Sequence, residues 1–299
     1  MIEMIKVRVP ATTANVGPGF DCLGIALNLY NNFYFEEIEE GLKIEGTDRE
    51  FQNEDNLVFQ SMKKTFDKIG YKYKGIKILI EDNIPISRGL GSSAACIVGG
   101  VVGANRLAGD VLSKEELLKI ATEIEGHPDN VAPALFGGMT AAIYENGKVY
   151  FSKINITEGL KFYALVPNFR LSTEKARSVL PQNIPYKDGV YNVGRTALLI
   201  SSLVNGEFHL LREACKDKLH QNYRGKLIDD YDEIIKICED IGVVGVFLSG
   251  AGPTIMALDK EGVYIKEKFE REFSRLNATW KVYELSIDFY GAKVEEVQL

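Results

Sequence analysis

The segment Pro85-Ile-Ser-Arg-Gly89-Leu-Gly91-Ser92-Ser93-Ala-Ala95 constrains this chain more than any other. A short run rich in β-branched residues, 75–81, reads as a strand ending just before it, and residues 96–107 continue from it as a helix built largely of Gly, Ala and Val. A helix apolar on most of its faces is buried, and Gly99, Gly100 and Gly103 make this one slim enough for close packing. The loop therefore opens a buried helix. Free amides and the positive end of the helix dipole face whatever binds there. Side-chain-free glycines let the backbone approach it, and Ser92 and Ser93 add hydroxyl donors. That combination describes a phosphate cradle.

Around this element, strands and helices interleave. Residues 5–9 read as a strand, and 56–69 places Leu57, Val58, Met62, Phe66 and Ile69 at helical spacing. Ser113-Lys-Glu-Glu116 is a capping box for a helix running through Ile124, which Gly126 and Pro128 stop. After a Gly137-Gly138 break, Asn146-Gly147 signals a hairpin that closes a first unit. A strand at 162–166 and helices at 173–180, 190–203, 208–219 and 230–241 follow. Strands at 243–248 and 254–258, a helix at about 264–276 and a strand at 280–285 end the chain. The pattern predicts α+β sheets carrying helices on one side, in two domains, 1–155 and 156–299, divided near 154–159.

Composition narrows the function. Thirty-five basic against 42 acidic residues give a net charge of −7, so there is no electrostatic case for nucleic acid or an anionic membrane. The longest charge-free stretches, near 89–105 and 242–258, are broken by Gly, Ser and Pro and fall short of the run of about 20 apolar residues that spans a bilayer. Four cysteines without a CxxC pair, and no recognisable secretory signal, fit a reducing cytoplasm. The three histidines, His127, His209 and His220, lack the paired spacing of a zinc site. Three GxG clusters occur, at Gly17/Gly19, Gly89/Gly91 and Gly250/Gly252, yet none completes GxGxxG. GxxxxGK[ST], GxSxG and HExxH are absent. Dinucleotide, P-loop, serine-hydrolase and zincin chemistries are thus unsupported.

Pro85 to Ala95 resembles the phosphate-binding motif of the GHMP kinase superfamily. Two further segments, Pro10-Ala-Thr-Thr-Ala-Asn15-Val-Gly-Pro-Gly-Phe-Asp21-Cys-Leu-Gly24 and Glu125-Gly-His127-Pro-Asp129-Asn130-Val-Ala-Pro133, are similar to its homoserine kinase branch. Leu248-Ser-Gly250-Ala-Gly252-Pro-Thr254 resembles the third motif of the superfamily, so the likeness runs over essentially the whole chain in the expected order. It implies an N-terminal ribosomal S5 domain 2-like domain and a C-terminal ferredoxin-like domain. It also implies transfer of the γ-phosphoryl group of ATP, with Mg²⁺, to the L-homoserine hydroxyl, a step toward threonine. A homodimer is compatible with this.

Phosphoryl transfer needs positioning and charge neutralisation. The resemblance assigns the nucleotide to Pro85, Ile86, Ser87, Arg88, Gly89, Leu90, Gly91, Ser92, Ser93, Ala94 and Ala95. For the metal it points to Ser93 and Glu123, with Glu125 as rival because the interval from glutamate to His127 is short. A zwitterionic substrate needs carboxylates for its ammonium and guanidinium for its carboxylate. Asn15, Asp21, His127, Asp129, Arg177, Arg224 and Gly250 are the expected substrate residues. Asn130, Thr173 and His127 are expected near the reacting hydroxyl. Whether His127 or Asp129 serves as a base stays open, and in-line transfer without a dedicated base is the working expectation.

Overall fold

The computed structural model describes residues 3–260, 262 and 264–298. Two long antiparallel strands, β1 (Glu3–Ala14) and β2 (Leu23–Ile38), come first, joined by a loop in which Asn15, Val16, Gly17 and Asp21 all take positive φ. β3 (Gly41–Glu45), α1 (Leu57–Ile69) and β4 (Gly75–Glu81) form a crossover unit whose strands pair in parallel. α1 begins where the Asn56 side chain accepts the amides of Val58 and Phe59, and ends at Gly70 in the left-handed region. α2 (Ser92–Leu107), α3 (Lys114–Glu125) and α4 (Pro128–Phe136) lead to the hairpin β5 (Met139–Glu145) and β6 (Lys148–Ile154). The capping box at Ser113 forms as the sequence predicts.

The second half runs β7 (Leu160–Pro167), α5 (Thr173–Ser178), α6 (Tyr186–Asn205), α7 (Leu211–Ala214), α8 (Gln221–Arg224) and α9 (Tyr231–Ile241). It then continues with β8 (Gly245–Leu248), β9 (Ile255–Lys260), α10 (Ile265–Phe273), β10 (Trp280–Leu285) and β11 (Lys293–Gln298). β7 to β10 make a four-stranded antiparallel sheet in the order β10-β7-β9-β8, with helices between its first two and last two strands, the βαββαβ arrangement of a ferredoxin-like domain. The larger sheet has the order β11-β1-β2-β4-β3, with β5 and β6 attached along the first half of β2. β11, though it follows the second sheet in the chain, returns to the first sheet and pairs with β1.

Helix α2 lies between β2 and α1. A side chain at Gly99 would meet the Phe33 ring, one at Gly103 the Phe35 ring, and one at Gly100 the Val58 carbonyl. The small residues are thus required by packing. One core continues from this layer onto one face of the second sheet through Phe162, Phe247 and Met256. The opposite face, with Tyr163, Leu165, Phe269 and Trp280, belongs to a second core. At about 25 cal/mol per Å² of apolar surface, each fully buried aromatic stabilises the fold by up to roughly 3 kcal/mol.

Where the structure departs from the sequence pattern, the causes are local. The helix expected at 208–219 breaks after α7 because the Asp217 carboxylate accepts the amides of Leu219, His220 and Gln221, competing with helical hydrogen bonds. β2 is concealed by Asn28, Asn31 and Asn32 in mid-strand, and β11 by its charged residues. α6 begins at Tyr186, ahead of the expected 190.

Candidate active site

The motifs, distant in sequence, meet in one cleft between the sheets, and its centre is the loop between β4 and α2. Gly91 caps α2 at φ 69° with no side-chain cap, leaving the first-turn amides for a ligand. Gly91 and Gly89 both sit in the left-handed region, and added side chains would collide with the Thr12 hydroxyl and the Ser249 carbonyl respectively. The loop is pinned from outside: Thr12 donates its amide to the Leu90 carbonyl, Ser249 Oγ donates to the Gly89 carbonyl at 2.6 Å, and Thr254 donates its amide to the Arg88 carbonyl. Its carbonyls face neighbours, so its amides are free to face a phosphate.

Not every residue of the motif presents a side chain to the cleft. Ile86, Ser87, Arg88, Gly89, Gly91, Ser92 and Ser93 line it, whereas Leu90, Ala94 and Ala95 are buried in the core and Pro85 lies off the lining. The Arg88 guanidinium is committed to the carbonyls of Ile86, Pro167 and Asn168, so it ties the loop to the end of β7.

Glu123 and Glu125 part company at the C-terminus of α3. Two residues of helix turn a side chain by about 200°, and Glu123 faces outward, within 3.7 Å of Lys64 and 3.9 Å of Lys119. Glu125 faces α2 and accepts the Ser93 hydroxyl at 3.1 Å. Burial raises its pKa, opposed by His127 and the Ser93 hydrogen bond. Of the two glutamates expected as candidates for the metal, it is Glu125, the rival, and not Glu123 that is bonded to Ser93. Among the described residues no cluster of three metal-ligating side chains occurs. A hydroxyl and one carboxylate nevertheless fit Mg²⁺, which keeps waters and shares phosphate oxygens. The half-buried carboxylate, without a cationic partner in hydrogen-bond range among the described residues, and the glycine-capped amides are the features of this chain that fit Mg²⁺ and ATP.

At the opposite end of the cleft, Asp21 receives Arg177 through two bonds, 3.0 and 2.8 Å. Asn15 fixes that end of the loop, accepting the Asp21 amide at 2.9 Å and donating to the Gly250 carbonyl at 2.8 Å. Arg224, 1% exposed, donates to the carbonyls of Ala176 and Gly250, leaving Nη2 without a partner among the described residues. Burial, with Arg177 adding to it, depresses its pKa to about 10, so it stays cationic at neutral pH. The Phe20 ring lies under both guanidiniums, 5.9 Å from Arg177 and 5.1 Å from Arg224. Between the two ends, Thr12 Oγ1 donates to Asn130 Oδ1 at 2.7 Å, which turns the Asn130 amino group away from Thr12. His127 Nδ1 lies 2.6 Å from Asp129 Oδ1. Burial disfavours the imidazolium, yet the Asp129 hydrogen bond and charge, with Glu125 and Asp21, outweigh it and raise the His127 pKa. Thr173 lines the cleft at the first turn of α5.

Sequence reasoning missed Thr12, Ser249, Phe20 and the pair behind them, Asp217 and His220. The His220 ring, wholly buried, stacks on Phe20 at 5.1 Å and its Nε2 lies 2.9 Å from the Gly17 carbonyl. Burial lowers its pKa despite Asp217 and Gly17, and Arg224 lowers it further. The sign follows from the unfolded chain, which binds a proton near the ordinary 6.5 while the folded chain resists it. His220 therefore costs stability as pH falls below about 6.5, by at most about 1.4 kcal/mol per pH unit. Asp217, whose pKa is lowered by His220, Asn192 and backbone amides against the opposing effect of burial, adds a loss only near and below 3.8. His127 acts with the opposite sign, so the readout is a comparison. In urea titrations from pH 7 to 5, His220→Gln should lose stability less steeply than the parent chain, and parallel slopes would refute the assignment.

The four-stranded ferredoxin-like sheet, the glycine-capped helix of the first domain and the cleft between them define a GHMP kinase. Residues 56–138 match the GHMP kinases N terminal domain and residues 199–273 the GHMP kinases C terminal family, and the chain belongs to these kinases. Homoserine kinase of Clostridium botulinum (strain ATCC 19397 / Type A) is 59% identical over 297 residues, 99% of this chain and 100% of the relative. Homoserine kinase of Clostridium beijerinckii is 55% identical over 295 residues, 98% and 99% of the two chains. Within the class, the chain is a member of the homoserine kinase family. The crystal structure of homoserine kinase from Cytophaga hutchinsonii superposes with a TM-score of 0.89 at 30% identity, covering 98% of this chain and 97% of that one. Mevalonate kinase of L. major, with a TM-score of 0.75 at 16% identity and 96% of each chain covered, shares the fold.

Proposed function

We propose that this chain transfers the γ-phosphoryl group of ATP to the hydroxyl of L-homoserine, giving O-phospho-L-homoserine and ADP, in the cytoplasm and toward threonine. The observation that carries the reading is one cleft with a pair of guanidiniums and a carboxylate at one end and free helix-N-terminal amides at the other. That is the charge pattern of a zwitterionic amino acid facing a polyphosphate. No helix among the described residues is long and apolar enough to cross a membrane. Nothing in the acidic composition favours a nucleic-acid partner.

In this reading Gly89, Gly91, Ser92 and Ser93 hold the phosphates, and Thr47, Asn56, Val58 and Ile80 receive the base at the far end of the cleft. Ser93 and Glu125 would hold Mg²⁺. Mg²⁺-ATP supplies the transferable phosphoryl group and neutralises part of its charge. Asp21 takes the substrate ammonium while Arg177 and Arg224 take its carboxylate, so the bidentate Asp21–Arg177 pair opens to admit one charge on each side. Asn130, its carbonyl occupied by Thr12 and one amino hydrogen donated to Asp129, has its second amino hydrogen to offer the reacting oxygen. Thr173 stands where the transferring group passes.

Among the described residues no side chain is poised as a free base. Asp129 is engaged by His127, whose raised pKa favours the imidazolium, the form that has no lone pair left to take a proton. The hydroxyl proton passes to a phosphoryl oxygen or to solvent as the P–O bond forms, and catalysis rests on positioning. Asp129→Asn and His127→Ala should each keep kcat within about 10²-fold of the parent. A collapse of about 10³ or more with an unchanged homoserine KM would identify a base.

Substrate identity is tested with a panel of alcohols in a coupled ADP-release assay. ADP formation is expected with L-homoserine. Turnover of mevalonate or shikimate without turnover of homoserine would overturn the reading.

A further inference from the structure

The far end of the cleft, where the reading above places the base of ATP, is walled by Phe51, Leu57, Val58, Ile80 and Ile86. Apolar walls hold the faces of a flat ring but do not tell one base from another. Among the described residues one charged side chain, Asp82, lines this end with them. It has no cationic partner within hydrogen-bond range among those residues. Loss of water around the carboxylate raises its pKa against the hydrogen bond from Thr47, and Asp48 raises it further. A carboxylate so placed is stabilised by any further donor that reaches it.

Its two oxygens differ. Oδ1 accepts Nδ2 of Asn31 at 2.9 Å, and Asn31 is wholly buried and no part of the cleft wall. Oδ2 accepts the Thr47 hydroxyl at 3.3 Å, and Thr47 does line the cleft. Oδ1 is therefore turned into the protein and Oδ2 toward the cleft, with a lone pair to spare. Asn31 is not free to turn its amide over, because its own oxygen accepts the amides of Asn83 and Ile84, both at 2.8 Å. The neighbouring Asn56 offers no competing acceptor, since its oxygen already takes the amides of Val58 and Phe59. Guanine presents two parallel donors along one edge, which suit both oxygens of a carboxylate. With Oδ1 held by Asn31, the one free oxygen suits the exocyclic amino group of adenine.

We propose that Asp82 is the base-reading residue of the nucleotide site, its Oδ2 accepting the exocyclic amino group of adenine. The proposal rests on the reading of this cleft as an ATP site. Binding without turnover tests it, by calorimetry with no homoserine present. The parent chain should bind ADP about 10- to 100-fold more tightly than purine riboside diphosphate, which differs from ADP only in lacking the amino group. Asp82→Asn should bind the two within about threefold of each other. Because Asn31 keeps an oxygen at the Oδ1 position, the substitution sets an amino group at the Oδ2 position. Inosine diphosphate, which carries an oxygen in place of the amino group of adenine, should then bind more tightly to the variant than to the parent. A damaged fold does not produce that gain. Equal binding of ADP and purine riboside diphosphate by the parent chain overturns the proposal, as does an unchanged ratio, or no gain for inosine diphosphate, in Asp82→Asn. A variant that instead loses only its preference for ADP over deoxy-ADP assigns Asp82 to the ribose and overturns it too. Failure of the parent chain to bind ADP at all would overturn the reading of the cleft as an ATP site, and the proposal with it.

Discussion

Glu125→Gln should lower kcat by about 10² to 10³, the scale on which one preorganised electrostatic contact to a transferring group acts, while Glu123→Gln stays within about threefold of the parent. The asymmetry comes from the C-terminal turn of α3. Glu125 accepts the Ser93 hydroxyl at 3.1 Å on the cleft side, and Glu123 lies within salt-bridge distance of Lys64 and Lys119 on the outside. Glutamine preserves the size of Glu125 and its capacity to accept from Ser93, so a loss reports the charge and not the packing. Initial rates across a Mg²⁺ titration separate the possibilities. For Glu125→Gln the Mg²⁺ concentration giving half-maximal rate should rise, and for Glu123→Gln it should stay put. Equal losses in both variants, or a greater loss in Glu123→Gln, would remove Glu125 from the metal site.

How this site was legible follows from what each signal depends on. The cradle around Gly89 and Gly91 is local: strand, glycines, serines and a small-residue helix are adjacent in sequence, and their physical meaning survives without a partner. Glu123 against Glu125 is decided by helical phase at a terminus, and composition does not reveal that phase. Thr12 and Ser249 look like ordinary strand and turn residues until β1 and the β8–β9 turn, 237 positions apart in the chain, are brought together against the loop. His220 is a lone histidine in sequence. Its role appears only when the Asp217 turn aims it at Phe20 and Gly17.

The same reasoning covers the fold. Long periodic helices and the capping box were readable because their signals sum over several turns, and the two-domain α+β class followed from their order. β2 was obscured because mid-strand asparagines broke the alternation. One of them, Asn31, is buried and bonded to Asp82 and to the amides of Asn83 and Ile84. β11 looks like a charged tail, yet it completes the first sheet against β1 and closes the chain on its own beginning. Pairing across 290 residues leaves no trace in local composition.

Arg224→Lys should lower kcat/KM for L-homoserine by about 10² to 10³, equivalent to roughly 3 to 4 kcal/mol, with little change in the KM for ATP. The guanidinium reaches two carbonyls at once, those of Ala176 and Gly250, while its face lies over Phe20 and its free edge lines the cleft. A lysine ammonium is a point charge on a flexible stem and reproduces neither the fork nor the stack. It would also be buried beside Arg177, whose charge already depresses the pKa of Arg224. Lost carbonyl bonds lower stability by about 1 to 3 kcal/mol, so melting temperature is recorded alongside and assays are run well below it. The decisive comparison uses an amino alcohol of the same length without a carboxylate. The parent chain should prefer homoserine over it strongly, and Arg224→Lys should lose most of that preference, because the group that reads the carboxylate has gone. If the variant slows both alcohols equally, Arg224 holds the fold of the loop rather than the substrate. If the KM for ATP rises instead, the two ends of the cleft have been assigned the wrong way round.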